Sequence, residues 1–176
     1  SPDALRYMGD AVRKGLGGLP GQGGAAVLAA VIDDKPSFLA IVTRDLTGRL
    51  HAGELLRRNG QARRAIGFLK RAVVLSPDLY EAQYYLGIAS YELGDHQAAL
   101  RHLQEASRCQ PQNPSPHVHM GFAQTALGNL QGAIDHFRRA REKDPQDIRF
   151  FHFLGEALEK AGQVKEAERQ FVAAAK

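Results

Sequence analysis

The feature that most constrains this chain is a period. Gly53, Gly87, Gly121 and Gly155 are each 34 residues apart, and so are Gly60, Gly94, Gly128 and Gly162. Ala65, Ala99, Ala133 and Ala167 keep the same step, as do Ala72, Ala106, Ala140 and Ala174. A large apolar residue returns at Leu69, Leu103, Phe137 and Phe171, and Pro77, Pro111 and Pro145 close three successive units. A sequence that repeats at a fixed step of this size folds as a stack of small units, each burying its apolar face on its neighbours.

Within one unit the apolar residues recur at helical spacing in two runs of about a dozen residues. In the second unit Ala82, Leu86 and Ala89 form one stripe, and Ala99, Leu103 and Ala106 form another. Gly94-Asp95 separates the two runs, and glycine suits the left-handed turn that ends a helix. Gly87 and Ala99 are small, which lets two antiparallel helices approach closely. Pro111 lacks the amide hydrogen that a continuing helix requires, so it ends the second helix.

These residues resemble the tetratricopeptide repeat, whose unit carries a Leu-Gly pair in its first helix, an Ala in its second and a closing Pro. The pair stands here as Leu86-Gly87, Met120-Gly121 and Leu154-Gly155, with Ala52-Gly53 as a weaker version. The resemblance covers residues 46–176 and implies an all-α fold, a right-handed α-solenoid of antiparallel helix pairs. The units are expected at 46–79, 80–113, 114–147 and 148–176. One departure concerns the large aromatic residue early in the first helix. It is present as Phe151, but Arg49, Gln83 and His117 replace it elsewhere. The last unit reaches Lys176 before any closing Pro, as expected if the chain is cut from a longer one or another surface covers this end.

Residues 1–45 stand apart. Ser1-Pro2-Asp3 reads as a helix start, and Leu5, Met8, Gly9 and Val12 mimic a first repeat helix. Six of the ten residues from Gly15 to Gly24 are glycine, which reads as a loop. Residues 25–42 admit two readings. One is a pair of helical segments, Ala25–Ile32 and a second starting at Asp34-Pro36; the other is a β-hairpin, Val27–Ile32 with Phe38–Val42. The helical reading is preferred, and either way the segment is expected to cap the stack, as a degenerate repeat or otherwise.

Composition narrows the function. Hydrophobic residues make up 44% of the chain and charged residues 24%, a globular balance. Cys109 is the sole cysteine, so there is no internal disulfide framework, and a reducing, cytoplasmic setting is expected. The chain begins with Ser rather than Met, so an upstream segment is expected to have been trimmed. The longest apolar stretch, Ala25–Val42, is interrupted by Asp33, Asp34, Lys35 and Pro36, and neither side is long enough to cross a bilayer. The net charge of +4 belongs to one unit: residues 46–79 carry +5, and the next three units −2, 0 and +1. That concentration suits an acidic protein partner better than a nucleic acid, which would draw basic residues along the whole surface.

No reaction finds a home in the residues. Gly21-Gln22-Gly23-Gly24 echoes a dinucleotide-binding turn, but no strand precedes it and no sheet follows. His117 and His119 lie roughly 200° apart around a helix, so they cannot share a ligand face. His102 and His136 occupy equivalent places in successive second helices and read as solvated surface. No catalytic grouping, metal site or cofactor site is expected, and the chain is not expected to be an enzyme.

The resemblance instead implies a protein partner, a peptide or helix laid in a concave groove lined by the first helices. Carried over residue by residue, the lining is Leu50, Glu54, Arg57 and Arg58 in the first unit, then Glu81, Tyr84, Ile88 and Tyr91. The third unit gives Val118, Phe122 and Thr125, and the fourth Arg149, His152, Glu156 and Lys160. Each of these competes with an ordinary role in the core between helices. Tyr84, Ile88, Tyr91, Val118 and Phe122 would form an apolar centre. The basic clamp with which some family members grip the carboxylate terminus of heat-shock chaperones is not matched, because Leu50, Glu54 and Tyr84 stand where polar or basic groups are needed. An interaction or self-assembly domain of a larger enzyme or complex is the alternative, with a homo-oligomer among its forms.

Overall fold

The computed structural model describes residues 46–175, and among them there are eight α-helices and no strand. In chain order they are α1 (Leu46–Arg58), α2 (Ala62–Leu75), α3 (Tyr80–Glu92), α4 (His96–Cys109), α5 (Ser115–Ala126), α6 (Leu130–Lys143), α7 (Ile148–Lys160) and α8 (Val164–Ala174). The fold is the all-α fold of repeated helix pairs expected from the period. The N-terminal cap, its Gly-rich loop and the choice between helix and hairpin over 25–42 fall outside the described residues.

Each pair owes its sharp reversal to one glycine. Gly60, Gly94, Gly128 and Gly162 have φ of 75°, 81°, 77° and 76°, the left-handed region where a side chain is strained. This conformation turns the next amide back onto the helix: Asp95 N donates to Ser90 O at 2.9 Å and Asn129 N to Gln124 O at 2.9 Å. The residue after the glycine then starts the second helix. Asp95 and Asn129 each accept an amide from the first turn, from Ala98 N at 2.9 Å and Gly132 N at 3.1 Å. Gln61 and Gln163, at the equivalent places, make no such side-chain bond.

The described chain falls into two compact units divided within α3, between Ala89 and Ser90. In the first, α1 packs on α2, and Ala52, Leu56, Ala65, Leu69, Leu86 and Ala89 are buried together. In the second, α5 pairs with α6 and α7 with α8, while α4 lies against α5 and α6 against α7. Its core holds Ile134, Phe137, Phe150, Leu154 and Leu158. Each such side chain withdrawn from water contributes ~1.5–3 kcal/mol. The recurring glycine of each first helix is a contact point: a methyl on Gly53 would meet Leu69 Cγ at 2.5 Å, and one on Gly155 would meet Phe171 Cε1 at 2.5 Å.

The polar substitutes for the missing aromatic residue behave differently from an aromatic ring. Gln83 is buried, and its side-chain amide donates to Pro77 O at 2.8 Å. His117 is 7% exposed and its ring meets two other side chains, described below. A buried polar group is tolerated when its hydrogen bonds are made.

Candidate partner-binding surface

In the first unit the expected lining divides by burial. Leu50 is half-buried and packs against the core cluster, and Ile88 is 7% exposed, so both are mainly packing residues. Glu54 and Arg57 are half-buried and Arg58 is exposed. Glu54 and Arg58 lie 3.8 Å apart, a helical ion pair worth a few tenths of a kcal/mol. Glu54 also takes a hydrogen bond from Tyr85, whose phenol is pushed up first by burial and then by that carboxylate. Tyr84 stacks on Tyr80 with ring centres 5.2 Å apart and lies 5.8 Å from the ring of Tyr85. The accessible surface here is tyrosine-rich, and Glu81 is half-buried on the same helix.

In the second unit five expected residues come together. Tyr91, Phe122, Thr125, Glu156 and Lys160 line a cavity of about 250 Å³, joined by Phe137 and Phe153. Phe122 meets Phe153 edge-on at 5.0 Å and Phe137 at 5.4 Å, the geometry that aromatic quadrupoles favour. Thr125 donates its hydroxyl to Gly121 O at 2.9 Å, so its polar atom is engaged within its own helix. Val118 is buried in the core cluster. His152 is exposed and stands 6.0 Å from the ring of Phe171, away from the cavity. Arg149 is exposed and held by Asp147 at 2.6 Å.

Of the two further rings, Phe137 was expected only as a recurring large apolar residue, and Phe153 was not expected at all. A signal existed: at successive steps of 34 before it stand His119, Tyr85 and His51, a column of rings on every first helix. The reading of His136 as solvated surface is corrected. It is half-buried, its ring stacks on His117 with centres 5.6 Å apart, and the two Nδ1 atoms are 3.3 Å from one another. Periodicity placed His136 on the outer helix, but it could not show that His117 of α5 reaches across to it.

Among the described residues no group of three or more His, Cys, Asp or Glu is placed to hold a metal, and no helix is long and apolar enough to cross a membrane. What the second-unit cavity offers chemically is an aromatic cradle with one carboxylate and one ammonium at its rim.

Comparison with known proteins agrees with this architecture. Tetratricopeptide repeat models match residues 50–114 and 124–176. Among solved structures, a crystal structure of MamA is similar at 26% identity over 86% of this chain and 85% of that one, with a TM-score of 0.72. A second MamA structure superposes with a TM-score of 0.81 at 23% identity, over 99% of this chain and 91% of that one. MamA from Desulfovibrio magneticus RS-1 gives 0.80 at 19% identity, over 98% and 93%. A curated relative, an alanine–tRNA ligase of Roseiflexus castenholzii, is 50% identical over 60 residues. That match takes in 32% of this chain and only 6% of the ligase. By its repeats and its fold, the chain belongs to the tetratricopeptide repeat family.

Proposed function

We propose that this protein is an interaction scaffold that holds a peptide or helix of a partner protein against its first helices. The observation that carries the reading is the cavity of about 250 Å³ in the second unit, walled by Tyr91, Phe122 and Phe153. Its size suits one apolar side chain, and aromatic walls supply much contact area with little side-chain freedom to lose. Glu156 and Lys160 at the rim favour a partner with a charged residue next to its apolar anchor. In the first unit Leu50, Glu54, Arg57, Arg58, Tyr84 and Ile88 supply the corresponding surface, of which Glu54, Arg58 and Tyr84 reach the partner. The net +5 of residues 46–79 favours an acidic segment there.

On this reading the protein works in the cytoplasm without catalysis or cofactor. The likeness to a tRNA ligase spans 60 residues and 6% of that protein, too little to carry its reaction over. A second copy of the chain is one partner this surface admits, as is a neighbouring subunit of a larger complex.

Selection of random peptides on the immobilised chain tests the proposal. The peptides recovered should carry an apolar anchor, and should lose binding to Thr125→Arg, which fills the cavity mouth, and to Tyr84→Ala. Both variants should keep the helical circular dichroism of the parent. Peptides that bind Thr125→Arg and the parent equally would place the functional surface elsewhere.

A further inference from the structure

Helix α5 has a second working side. Phe122, Thr125 and Ala126 face the aromatic cavity, whereas His117, Met120 and Gln124 line a separate one of about 420 Å³. At ~100° per residue these two sets lie on roughly opposite sides of the helix. The second cavity is walled on its other sides by Gln104, Ser107 and Arg108 of α4 and by His136 and Arg139 of α6.

Its polar lining is made of donors. Among the described residues no Asp or Glu lines it. Glu105, beside it on α4, is held by Arg108 at 2.9 Å, and Asp135 on α6 is engaged by Gln131 at 3.1 Å and lies 3.8 Å from Arg138. Gln124 already accepts from Asn129 at 3.1 Å through its carbonyl oxygen, which leaves its amide hydrogens for another acceptor. His117 is fixed at the floor, 3.4 Å from Ser107 Oγ through Nε2 and 3.3 Å from His136 through Nδ1. Arg139 is exposed at the rim, and both it and Lys143 on α6 act on His117 as positive charge.

Two other readings of this cluster fit less well. A Ser-His-His row suggests a nucleophile, but Ser107 sits inside a helix, where the neighbouring amides are committed to helical bonds and cannot stabilise an oxyanion. A two-histidine metal site would put a dication among Arg108, Arg139 and Lys143. An anion meets neither objection.

We propose that this cavity receives a carboxylate side chain from an acidic segment of a partner protein, a docking point distinct from the aromatic groove. The carboxylate would lie between the Arg139 guanidinium and the amides of Gln104 and Gln124, a charge-assisted set of bonds in a partly enclosed site. Burial and the Arg139 charge hold His136 below the usual imidazole range, so at neutral pH the positive charge of the site comes from the arginines and not from this ring. Asp135 on the same helix favours protonation of the ring, while its own charge is engaged by Gln131 and lies 3.8 Å from Arg138.

The test is a titration of the isotope-labelled full chain with a capped hexaglutamate peptide, followed by nuclear magnetic resonance at constant ionic strength. The expected result is saturable shifts at the His136 ring and the Gln104 and Gln124 side-chain amides. Arg139→Gln and Gln104→Glu should each weaken the affinity roughly tenfold, the value of one good charged contact. Both positions are exposed, so the variants should fold, which circular dichroism checks. Arg169→Gln on α8 should bind like the parent. Equal binding by Arg139→Gln, or shifts spread evenly over all arginines, would overturn the proposal. So would inorganic phosphate shifting the same resonances at equal affinity, since the cavity would then be a site for free anions and not for a partner.

Discussion

Gly121 and Phe137 are packed so closely that no methyl group fits between them: a Cβ on Gly121 would lie 2.5 Å from Cε1 of Phe137. Phe137 is 2% exposed, and the rings of Phe122 and Phe153 pack against it at 5.4 and 5.8 Å. The glycine of the repeat signature is therefore kept by the large residue of the second helix, Leu69, Phe137 or Phe171, that presses on it.

Gly121→Ala should accordingly destabilise the second unit by about 1–3 kcal/mol, the usual range for overpacking, less the small helix preference of alanine. Gly67 is the control. It lies inside α2, exposed, and an added methyl there would meet nothing within 4 Å. Gly67→Ala should stabilise by ~0.5–1 kcal/mol. Urea unfolding of the two variants checks both signs, and a stable Gly121→Ala would mean that α5 and α6 do not meet here.

The caps should rank by chemistry rather than by position in the repeat. Asp95→Ala and Asn129→Ala remove an accepted amide bond and should each cost about 1 kcal/mol. Gln61→Ala and Gln163→Ala remove no such bond and should change stability by only a few tenths of a kcal/mol. Thermal melts of the four single variants would show the split, and four equal losses would refute it.

Acid should loosen the second unit through its histidine pair. His117 is pushed down to about 4, first by burial and then by the positive charge of His136, Lys143 and Arg139. His136 is lowered by burial and Arg139, against an opposite pull from Asp135. In the unfolded chain both titrate near 6.5. Above that pH neither state binds a proton, so the pair has no effect. As the pH falls from about 6.5 towards 4 the unfolded chain takes up protons first, and stability drops by roughly 3 kcal/mol at His117 before levelling off. His117→Gln should flatten the pH profile of the melting temperature in this window, and an unchanged profile would show that the pair is not the cause.

Neighbouring aromatic and imidazole rings on α7 should respond differently. Phe153→Ala takes a partner from both Phe122 and Phe137, whose rings lie 5.0 and 5.8 Å away, and should cost about 2–4 kcal/mol. His152→Ala, exposed, should stay within ~0.5 kcal/mol. Denaturant midpoints compare them, and equal effects would mean that the cavity wall is not packed.

The period by itself determined the helix pairs, because recurring apolar residues at helical spacing leave no other way to bury them. It also located the reversal within each pair, since glycine adopts φ near 75–81° without strain and returns at all four. The close approach of the helices was legible from small residues such as Gly87 and Ala99, but that the glycine meets the large residue of the second helix, as Gly121 meets Phe137, was not. Partners across helices were not legible. His117 and His136 are nineteen residues apart on different helices, and Phe122 and Phe153 are thirty-one apart. A helical spacing states which residues share a face, but the reach of a side chain depends on where the next helix lies and how near it comes. The same uncertainty governed the groove, where Ile88 and Val118 were drawn into the core while Phe122 and Thr125 remained on its wall. Packing decided between them, because burial is a property of the assembled helices and not of any one of them.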